Sequence, residues 1–124
     1  MKGTIFLFGF EELPAIAAVG GVAEQFGAQL RPVMRSEYNT TLGVLAGLDK
    51  ARLTAPYAGG PLGGRMLVFC GLEDRLDGIL GALRQAGIGQ ECLKAVLTAH
   101  NRSWNAVALY SELWSEHQAM SGRK

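Results

Sequence analysis

The densest group of side chains able to form directed polar contacts is the run Thr98-Ala-His-Asn-Arg-Ser-Trp104. His100 and Arg102 supply hydrogen-bond donors that can recognise a ligand. Asn101 can instead cap the helix that follows, a role that needs no ligand. The corresponding place in the first half of the chain holds the similar run Arg35-Ser-Glu-Tyr-Asn39. Both runs are therefore candidate recognition loops, although helix capping explains part of the later run equally well.

The two cysteines are the candidate nucleophiles. Cys70 ends an apolar run just before an expected helix, a position that lowers the pKa of a thiol and makes it reactive. Glu73 and Asp74 follow it, however, and nearby carboxylates oppose formation of a thiolate. Cys92 lies in another apolar run with no histidine close in sequence. Both thiols are therefore predicted to fill the core, where free cysteine is common.

Metal and phosphate chemistry have little support in the sequence. His100 and His117 show no metal-binding spacing, and two cysteines are too few for a zinc site of four thiolates. The glycine-rich run 59–64 lacks the Gly-Lys-Ser/Thr of a phosphate-binding loop. The expected strand-to-helix turns at Gly9 and Gly71 are each followed by two carboxylates, which occupy the place that a phosphate needs. We expect no metal and no cofactor.

The composition is that of an ordinary globular protein, with 48% hydrophobic and 19% charged residues among 124. Twelve basic and eleven acidic residues give a formal charge of +1, which disfavours a nucleic-acid partner. No apolar run approaches the roughly 20 residues of a membrane span, and no signal peptide is recognisable. We expect a cytoplasmic protein without nucleic-acid or membrane partners that binds a small molecule or a protein, with a homodimer left open.

The candidate loops belong to a pattern that occurs twice. The run from Gly3 to Glu12 is typical of a buried strand, a glycine turn and the acidic first turn of a helix, and so is the run from Arg65 to Asp74. The two turn glycines are 62 positions apart, and the same spacing separates Asn39 from Asn101. The pattern predicts one domain, residues 1–124, made of two βαβα repeats at about 1–50 and 65–118. The connector 51–64 is rich in glycine and proline and is expected to be a mobile surface loop.

Alternating strands and helices favour an α/β sheet with helical connections. Ile5–Phe8 and Met66–Cys70 are continuously apolar, which predicts strands that are buried on both faces. The predicted fold is a three-layer α/β sandwich around a four-stranded, mainly parallel sheet of order 2-1-3-4. The first and fourth helices would cover one face, and the second and third would cover the other. The alternative is a ferredoxin-like α+β sandwich, which leaves one face of the sheet open.

Two runs of the second half, LVFCGLEDRLDGILGALRQAGI and LKAVLTAHNRSWNAVALYSELWSEH, resemble the family called domain of unknown function 3783. The family typically shows a glycine turn and acidic residues after a strand, and later a Thr-Pro-Thr-Asn-x-x-Trp-like stretch. The matching residues here are Gly71, Leu72, Glu73, Thr98, Asn101 and Trp104. Ala99 and His100 depart from the usual proline and small hydroxyl residue. The first half, with IFLFGFEE and YNTTLGVLAG, is similar as well, and the resemblance implies the fold unit but no activity.

In an open parallel sheet, ligands bind in the crevice beyond the carboxyl ends of the strands. The loops that follow the four predicted strands would meet there. Their candidate ligand-binding residues are Phe10, Arg35, Tyr38, Leu72, His100, Asn101 and Arg102. Glu11 and Glu73 lie in the same loops and should repel a phosphate, so we expect a neutral, cationic or peptidic ligand. The sequence favours a non-catalytic binding module over the alternative, a small enzyme that uses Cys70 or His100 at the same edge.

Overall fold

The computed structural model describes residues 3–51 and 53–121. Its strands are β1 (Thr4–Phe8), β2 (Gln29–Pro32), β3 (Met66–Cys70) and β4 (Leu93–Val96). Its α-helices are α1 (Leu13–Gln25), α2 (Leu42–Leu45), α3 (Leu76–Gln85) and α4 (Ala106–Ser121). Short 3-10 turns at Arg35–Glu37 and Glu73–Arg75 precede α2 and α3. The elements therefore follow the order predicted from the sequence.

The sheet has the predicted order β2-β1-β3-β4, but the direction of its central pair differs from the prediction. β1 is parallel to β2 and β3 is parallel to β4, whereas β1 and β3 are antiparallel. Thr4 lies opposite Cys70 at one end of this pair, and Phe8 lies opposite Met66 at the other. The sheet is therefore open and mixed, and parallel pairing holds only within each half of the chain.

The connector ends beside the turn that follows β1, and this position explains the direction of β3. A Cβ atom built on Gly9 would collide with the carbonyl oxygen of Gly64, so the segment just before β3 touches the turn that ends β1. β3 must therefore start beside the end of β1 and run back along it. A parallel neighbour would need a crossover that returns the chain to the opposite end of the sheet.

Helices cover both faces of the sheet, but not in the predicted pairs. The odd-numbered residues of β1 and β3 lie beneath α1 and α3, where Ile5 and Phe69 are buried. The even-numbered residues lie beneath α2 and α4, where Phe8 and Met66 are buried. The predicted pairing of α1 with α4 is wrong, because β3 runs in the opposite direction while β4 stays on its outer side, and a right-handed crossover then places α3 on the face of α1.

The two halves share an order of elements but not a constant spacing. Phe6 lies opposite Val68 at the centre of the β1–β3 ladder, 62 positions away along the chain. α2 and α4 begin at Leu42 and Ala106, which are 64 positions apart. The difference arises because the second half has two more residues between its paired strands.

Asn39 and Asn101 consequently do not have equivalent surroundings. Asn39 donates from Nδ2 to the carbonyl oxygen of Ala55 in the connector, at 3.0 Å. Asn101 accepts at Oδ1 from the backbone N–H of Thr98 at 2.9 Å and donates from Nδ2 to the carbonyl oxygen of Val96 at 3.1 Å. The two halves therefore have the same order of strands and helices, but Asn39 and Asn101 do not occupy equivalent positions.

The connector is attached to the first half of the chain by its aromatic residue. The backbone N–H of Tyr57 donates to the carbonyl oxygen of Ser36 at 3.0 Å. The Tyr57 ring packs against Tyr38, with 5.5 Å between ring centroids. Leu62 is also partly buried against the core beneath α2 and α4. The connector therefore forms a wall of the molecule, and this wall faces the carboxyl end of β1.

Candidate functional site: a cleft at the carboxyl ends of β1 and β2

The antiparallel pairing of β1 with β3 separates the predicted site into two groups. The carboxyl ends of these strands lie at opposite edges of the sheet, so the loops that follow them cannot meet. Phe10, Arg35 and Tyr38 come together in one cleft. Leu72, His100, Asn101 and Arg102 do not line that cleft.

Leu72 is placed where no ligand reaches it. Its side chain is 0% exposed and belongs to the core beneath α1 and α3. Its backbone N–H donates to the carboxylate of Glu73, at 3.1 Å. A Cβ atom on Gly3 would collide with the Leu72 side chain, which shows how closely the surrounding chain packs. Leu72 therefore serves the core and offers no apolar surface for binding.

His100, Asn101 and Arg102 make contacts within the protein. The ring of His100 meets the edge of Trp104, with 5.1 Å between centroids. Arg102 forms a two-pronged ion pair with Asp49, which joins the loop to the chain after α2. Asn101 is only 8% exposed and holds the turn that follows β4. These contacts agree with the structural interpretation of the run.

The residue that caps α4 was not recognised from the sequence. Asn105 accepts at Oδ1 from the backbone N–H of Ala108, at 2.9 Å. Its position directly before α4, which begins at Ala106, was the available signal, because asparagine at that place favours capping. The expectation had placed the cap earlier, at Asn101.

The cleft that contains Phe10, Arg35 and Tyr38 has a volume of about 600 Å³. It lies between the ends of β1 and β2 on one side and the connector on the other, and we call it the β1–β2 cleft. Its lining is Gly9, Phe10, Glu11, Val33, Met34, Arg35, Tyr38, Pro61, Leu62, Gly63, Gly64 and Arg65. Met34, Leu62 and Arg65 are lining residues that the sequence did not single out. Leu62 and Arg65 flank the Gly63-Gly64 pair, which was treated only as part of a loop.

Gly9 makes the close approach between the two sides possible. Its φ of +77° lies in the left-handed region, which a residue with a Cβ rarely adopts. The carbonyl oxygen of Gly64 also leaves no room for a side chain at this position. The turn at the end of β1 can therefore lie directly against the connector.

Aromatic rings form the base of the β1–β2 cleft. Tyr38 is 3% exposed and lies between Phe8, at 6.2 Å between centroids, and Tyr57, at 5.5 Å. Burial raises the pKa of the Tyr38 hydroxyl, although its hydrogen bond with the Gly9 backbone and the charge of Arg35 act in the opposite direction. The Tyr38 ring is therefore packed against other aromatic rings, and its hydroxyl is neutral at physiological pH.

The loop that carries Arg35 is held by an ion pair. Arg31 donates to both carboxylate oxygens of Glu37, at 3.0 and 2.7 Å. Glu37 also accepts from the backbone N–H of Met34, at 2.8 Å. The hydrogen bond from Arg31 is the main reason that the pKa of Glu37 is lowered. This pair fixes the 3-10 turn, and with it the side on which Arg35 is presented.

Two guanidinium groups and one carboxylate line the β1–β2 cleft. Arg65 donates to Glu12 at 2.9 Å and lies 5.2 Å above the centre of the Phe10 ring, within the range of a cation–π contact. Arg35 is 3.8 Å from Glu11, which is longer than a hydrogen bond. Both acids are at the rim, with 78% and 75% of the Glu11 and Glu12 side chains exposed.

These positions change the electrostatic expectation for the site. Glu73 was expected, together with Glu11, to repel a phosphate here, but it follows β3 at the opposite end of the sheet. Glu11 and Glu12 approach the two arginines from the solvent side. The cleft lining therefore has one more positive than negative side chain.

The second half of the chain matches a family model. Residues 65–120 match the model described as a domain of unknown function, DUF3783. The match covers 56 of the 124 residues, so the likeness is to this part of the chain. The matched segment contains β3, α3, β4 and nearly all of α4. No curated protein and no solved structure matches the chain.

The β1–β2 cleft lies mostly outside the DUF3783 segment. Its carboxyl-end loops come from the first half of the chain, and Arg65, the first matched residue, is its contribution from DUF3783. Both cysteines are inside the segment, and both are buried. Burial raises the pKa of Cys70, and it raises the pKa of Cys92 to about 11. Both thiols are therefore protonated at neutral pH.

A larger hollow of about 680 Å³ lies at the β2 corner of the sheet, where α2 is too short to cover it. The side chains that face it include Thr4, Gln29 and Arg31. In the DUF3783 half, the corresponding strand positions hold Met66 and Leu93, which are buried beneath α4. The polar residues at the first corner fit a surface that water covers. We therefore do not assign a ligand to this hollow.

Within 3–51 and 53–121, no three His, Cys, Asp or Glu side chains are grouped so that they could hold a metal ion. In the same ranges, no helix is long and apolar enough to cross a membrane.

Proposed function

We propose that this protein is a non-catalytic module that binds a small molecule in the β1–β2 cleft. The observation that carries the proposal is the cleft itself, whose volume of about 600 Å³ is within the range of small-molecule sites. An aromatic base and a few convergent polar groups are the usual composition of such sites. Tyr38 supplies the base, and Arg35 and Arg65 supply the polar groups.

The state of the thiols favours binding over catalysis. An enzyme that used Cys70 would need a thiolate, but burial and the charge of Glu73 both raise the pKa of that thiol. Cys92 is 2% exposed, and its pKa of about 11 leaves it protonated. His100 meets Trp104 and is not among the residues that line the cleft.

The concave shape of the site favours a small molecule over a protein surface. The connector and the ends of β1 and β2 enclose it from opposite sides, and Gly9 brings these two sides into contact. A protein partner would more commonly use a flatter and larger surface. We therefore propose a small-molecule ligand that enters between the connector and the ends of β1 and β2.

A fragment screen followed by amide chemical shifts tests this function. Fragments that bind should perturb Gly9, Phe10, Arg35 and Gly63 together. Met34→Trp should weaken binding, because Met34 is 66% exposed and lines the cleft. Met120→Trp is the matched control, because Met120 is 74% exposed and does not line the cleft. Perturbations centred elsewhere, or equal binding by both variants, would contradict the proposal.

A further inference from the structure

We infer that the ligand of the β1–β2 cleft is a small carboxylate with an apolar, planar body. The inference rests on the proposed function and names the chemical class of the ligand. Arg35 and Arg65 would hold the carboxylate, and Phe10, Met34 and Leu62 would contact the body. All five residues line the cleft.

Both arginine side chains are less exposed than their acidic partners, and that of Arg35 is 50% exposed. The side chain of Arg65 is only 27% exposed, whereas that of Glu12 is 75% exposed. Arg35 has its acid partner at 3.8 Å, and that acid, Glu11, is 78% exposed. Exposed ion pairs are weak, so an entering carboxylate can replace the rim acids as the partner of these arginines at small cost. Guanidinium groups suit this exchange because they match carboxylate geometry.

The charge of the cleft favours one negative charge on the ligand. The lining contains two guanidinium groups and the carboxylate of Glu11. Glu12, just outside the lining, accepts from Arg65 at 2.9 Å, so Glu11 and Glu12 balance the two guanidinium groups until a ligand displaces an acid. One carboxylate on the ligand can take the place of one of these acids, whereas a cationic head group would meet both guanidinium groups at close range. This differs from the expectation of a neutral, cationic or peptidic ligand, which rested on Glu11 and Glu73 together, since only Glu11 lines the cleft.

The backbone at this turn is not arranged for a phosphate. Phosphate sites at strand-to-helix turns use free backbone N–H groups at the start of the helix. Here the Gly9 backbone is engaged with the Tyr38 hydroxyl. α1 begins at Leu13 with Glu12 as its N-cap residue, which places a carboxylate near that helix end. Recognition of an anion is therefore left to the two arginine side chains.

The remaining walls are apolar. Met34 presents a flexible, polarisable side chain that is 66% exposed, and such side chains adapt to planar ligands. Phe10 is held by the guanidinium of Arg65, which lies over its ring. Leu62 closes the connector side of the cleft. A carboxylate attached to a flat apolar group satisfies both parts of this lining.

The test compares three naphthalene compounds that differ in their polar group, with inorganic phosphate as a fourth probe. Naphthoate, naphthamide, naphthylmethylammonium and inorganic phosphate are titrated separately against the full chain, and binding is followed by the amide shifts of the cleft. Naphthoate should bind at least about tenfold tighter than its amide, and the ammonium compound and phosphate should bind more weakly still. Arg35→Gln and Arg65→Gln should each reduce naphthoate affinity towards that of the amide while leaving amide affinity unchanged. Arg84→Gln, in α3 and outside the cleft, is the matched control.

The outcomes separate this inference from the proposed function. Equal affinity of the acid and the amide in the cleft would overturn the carboxylate assignment and leave the binding module intact. Loss of naphthoate binding in Arg84→Gln to the same extent would overturn it as well, since the effect would then be one of net charge. A lack of cleft shifts with all four probes would also count against the assignment, and the fragment screen decides the proposed function independently. Circular dichroism of each variant confirms that the fold is retained.

Discussion

Phe6 lies directly opposite Val68 at the centre of the antiparallel ladder that joins β1 to β3. Both side chains are buried on the same face of the sheet, beneath α2 and α4. Each of these strands is parallel to its other neighbour, so the sheet consists of two parallel pairs joined in opposite directions. This antiparallel pairing determines which loops can line a common site. It places the carboxyl ends of the two parallel pairs at opposite ends of the sheet, measured along the strands.

Gly9→Ala should destabilise the protein. The substitution places a Cβ at φ +77° and against the Gly64 carbonyl, so the free energy of unfolding should fall by about 2 kcal/mol or more. Urea denaturation measures the change. Gly60→Ala is the control, since a Cβ there meets nothing within 4 Å, and its effect should be below about 0.5 kcal/mol. Equal effects of the two substitutions would show that the contact between Gly9 and the connector contributes little.

Asn101→Ala should lower stability without changing ligand affinity. It removes the acceptor for the Thr98 N–H and the donor to the Val96 carbonyl, and such losses cost about 1–3 kcal/mol. Thermal or urea denaturation gives the stability, and naphthoate titration gives the affinity. Asn39→Ala, which removes one exposed hydrogen bond, should cost less. A stable Asn101→Ala protein that fails to bind would assign Asn101 to the ligand instead.

Stability should decline at alkaline pH because of Cys92. Its pKa is about 11 in the folded protein and near 9 in the unfolded chain, so the unfolded state loses the proton first as the pH rises. The stabilisation is fully present below pH 9 and disappears towards pH 11, a loss of roughly 2 kcal/mol. Urea denaturation at a series of pH values measures it.

Cys92→Ala isolates this contribution from other groups that titrate in the same range. The variant should be less stable than the wild type at pH 8, since it leaves a small cavity, by about 1 kcal/mol. The difference between the two proteins should then shrink as the pH rises and change sign before pH 11, because the wild-type loss of roughly 2 kcal/mol exceeds the initial difference of about 1 kcal/mol. A difference that stays constant over the whole range would mean that the Cys92 thiol ionises normally in the folded state.

Glu11→Gln should strengthen naphthoate binding. The substitution removes the carboxylate at the rim that partners Arg35 at 3.8 Å, so the ligand no longer competes with it. We expect a gain of about two- to fivefold at low salt, which fades as the salt concentration rises. Naphthamide affinity should not change. Glu24→Gln, in α1 and outside the cleft, provides the control for net charge, and an equal gain there would contradict the direct role of Glu11.

The order of the strands could be predicted because it depends on the apolar character of short, contiguous runs of sequence. Ile5–Phe8 and Met66–Cys70 are apolar enough to require cover on both faces, which put β1 and β3 in the centre. The direction of β3 was not predictable in this way. It depends on the contact between Gly64 and Gly9, which lie far apart in the chain and carry no periodic pattern.

The same limit explains the outcome for the candidate site. Phe10, Arg35 and Tyr38 converge because they follow two strands that are parallel, as predicted. His100 and Arg102 follow β4, which points the other way once β3 is reversed. The end of α2 shows a further limit. Leu42, Leu45 and Leu48 recur at helical spacing, but the helix stops at Leu45 ahead of Gly47, whose φ is +75°.

The antiparallel β1–β3 ladder also predicts how a chain that contained only the DUF3783 segment would behave. Every residue of β3 is buried here, and β1 supplies the hydrogen-bonding partner along one whole side of it. Without β1, that side would be an unpaired apolar edge, which is prone to associate with another strand. A second copy placed antiparallel across Val68 would restore the missing ladder with the same geometry. In the present chain, residues 51–64 join β3 covalently to the half that contains β1, so β3 always has this strand partner at a high local concentration.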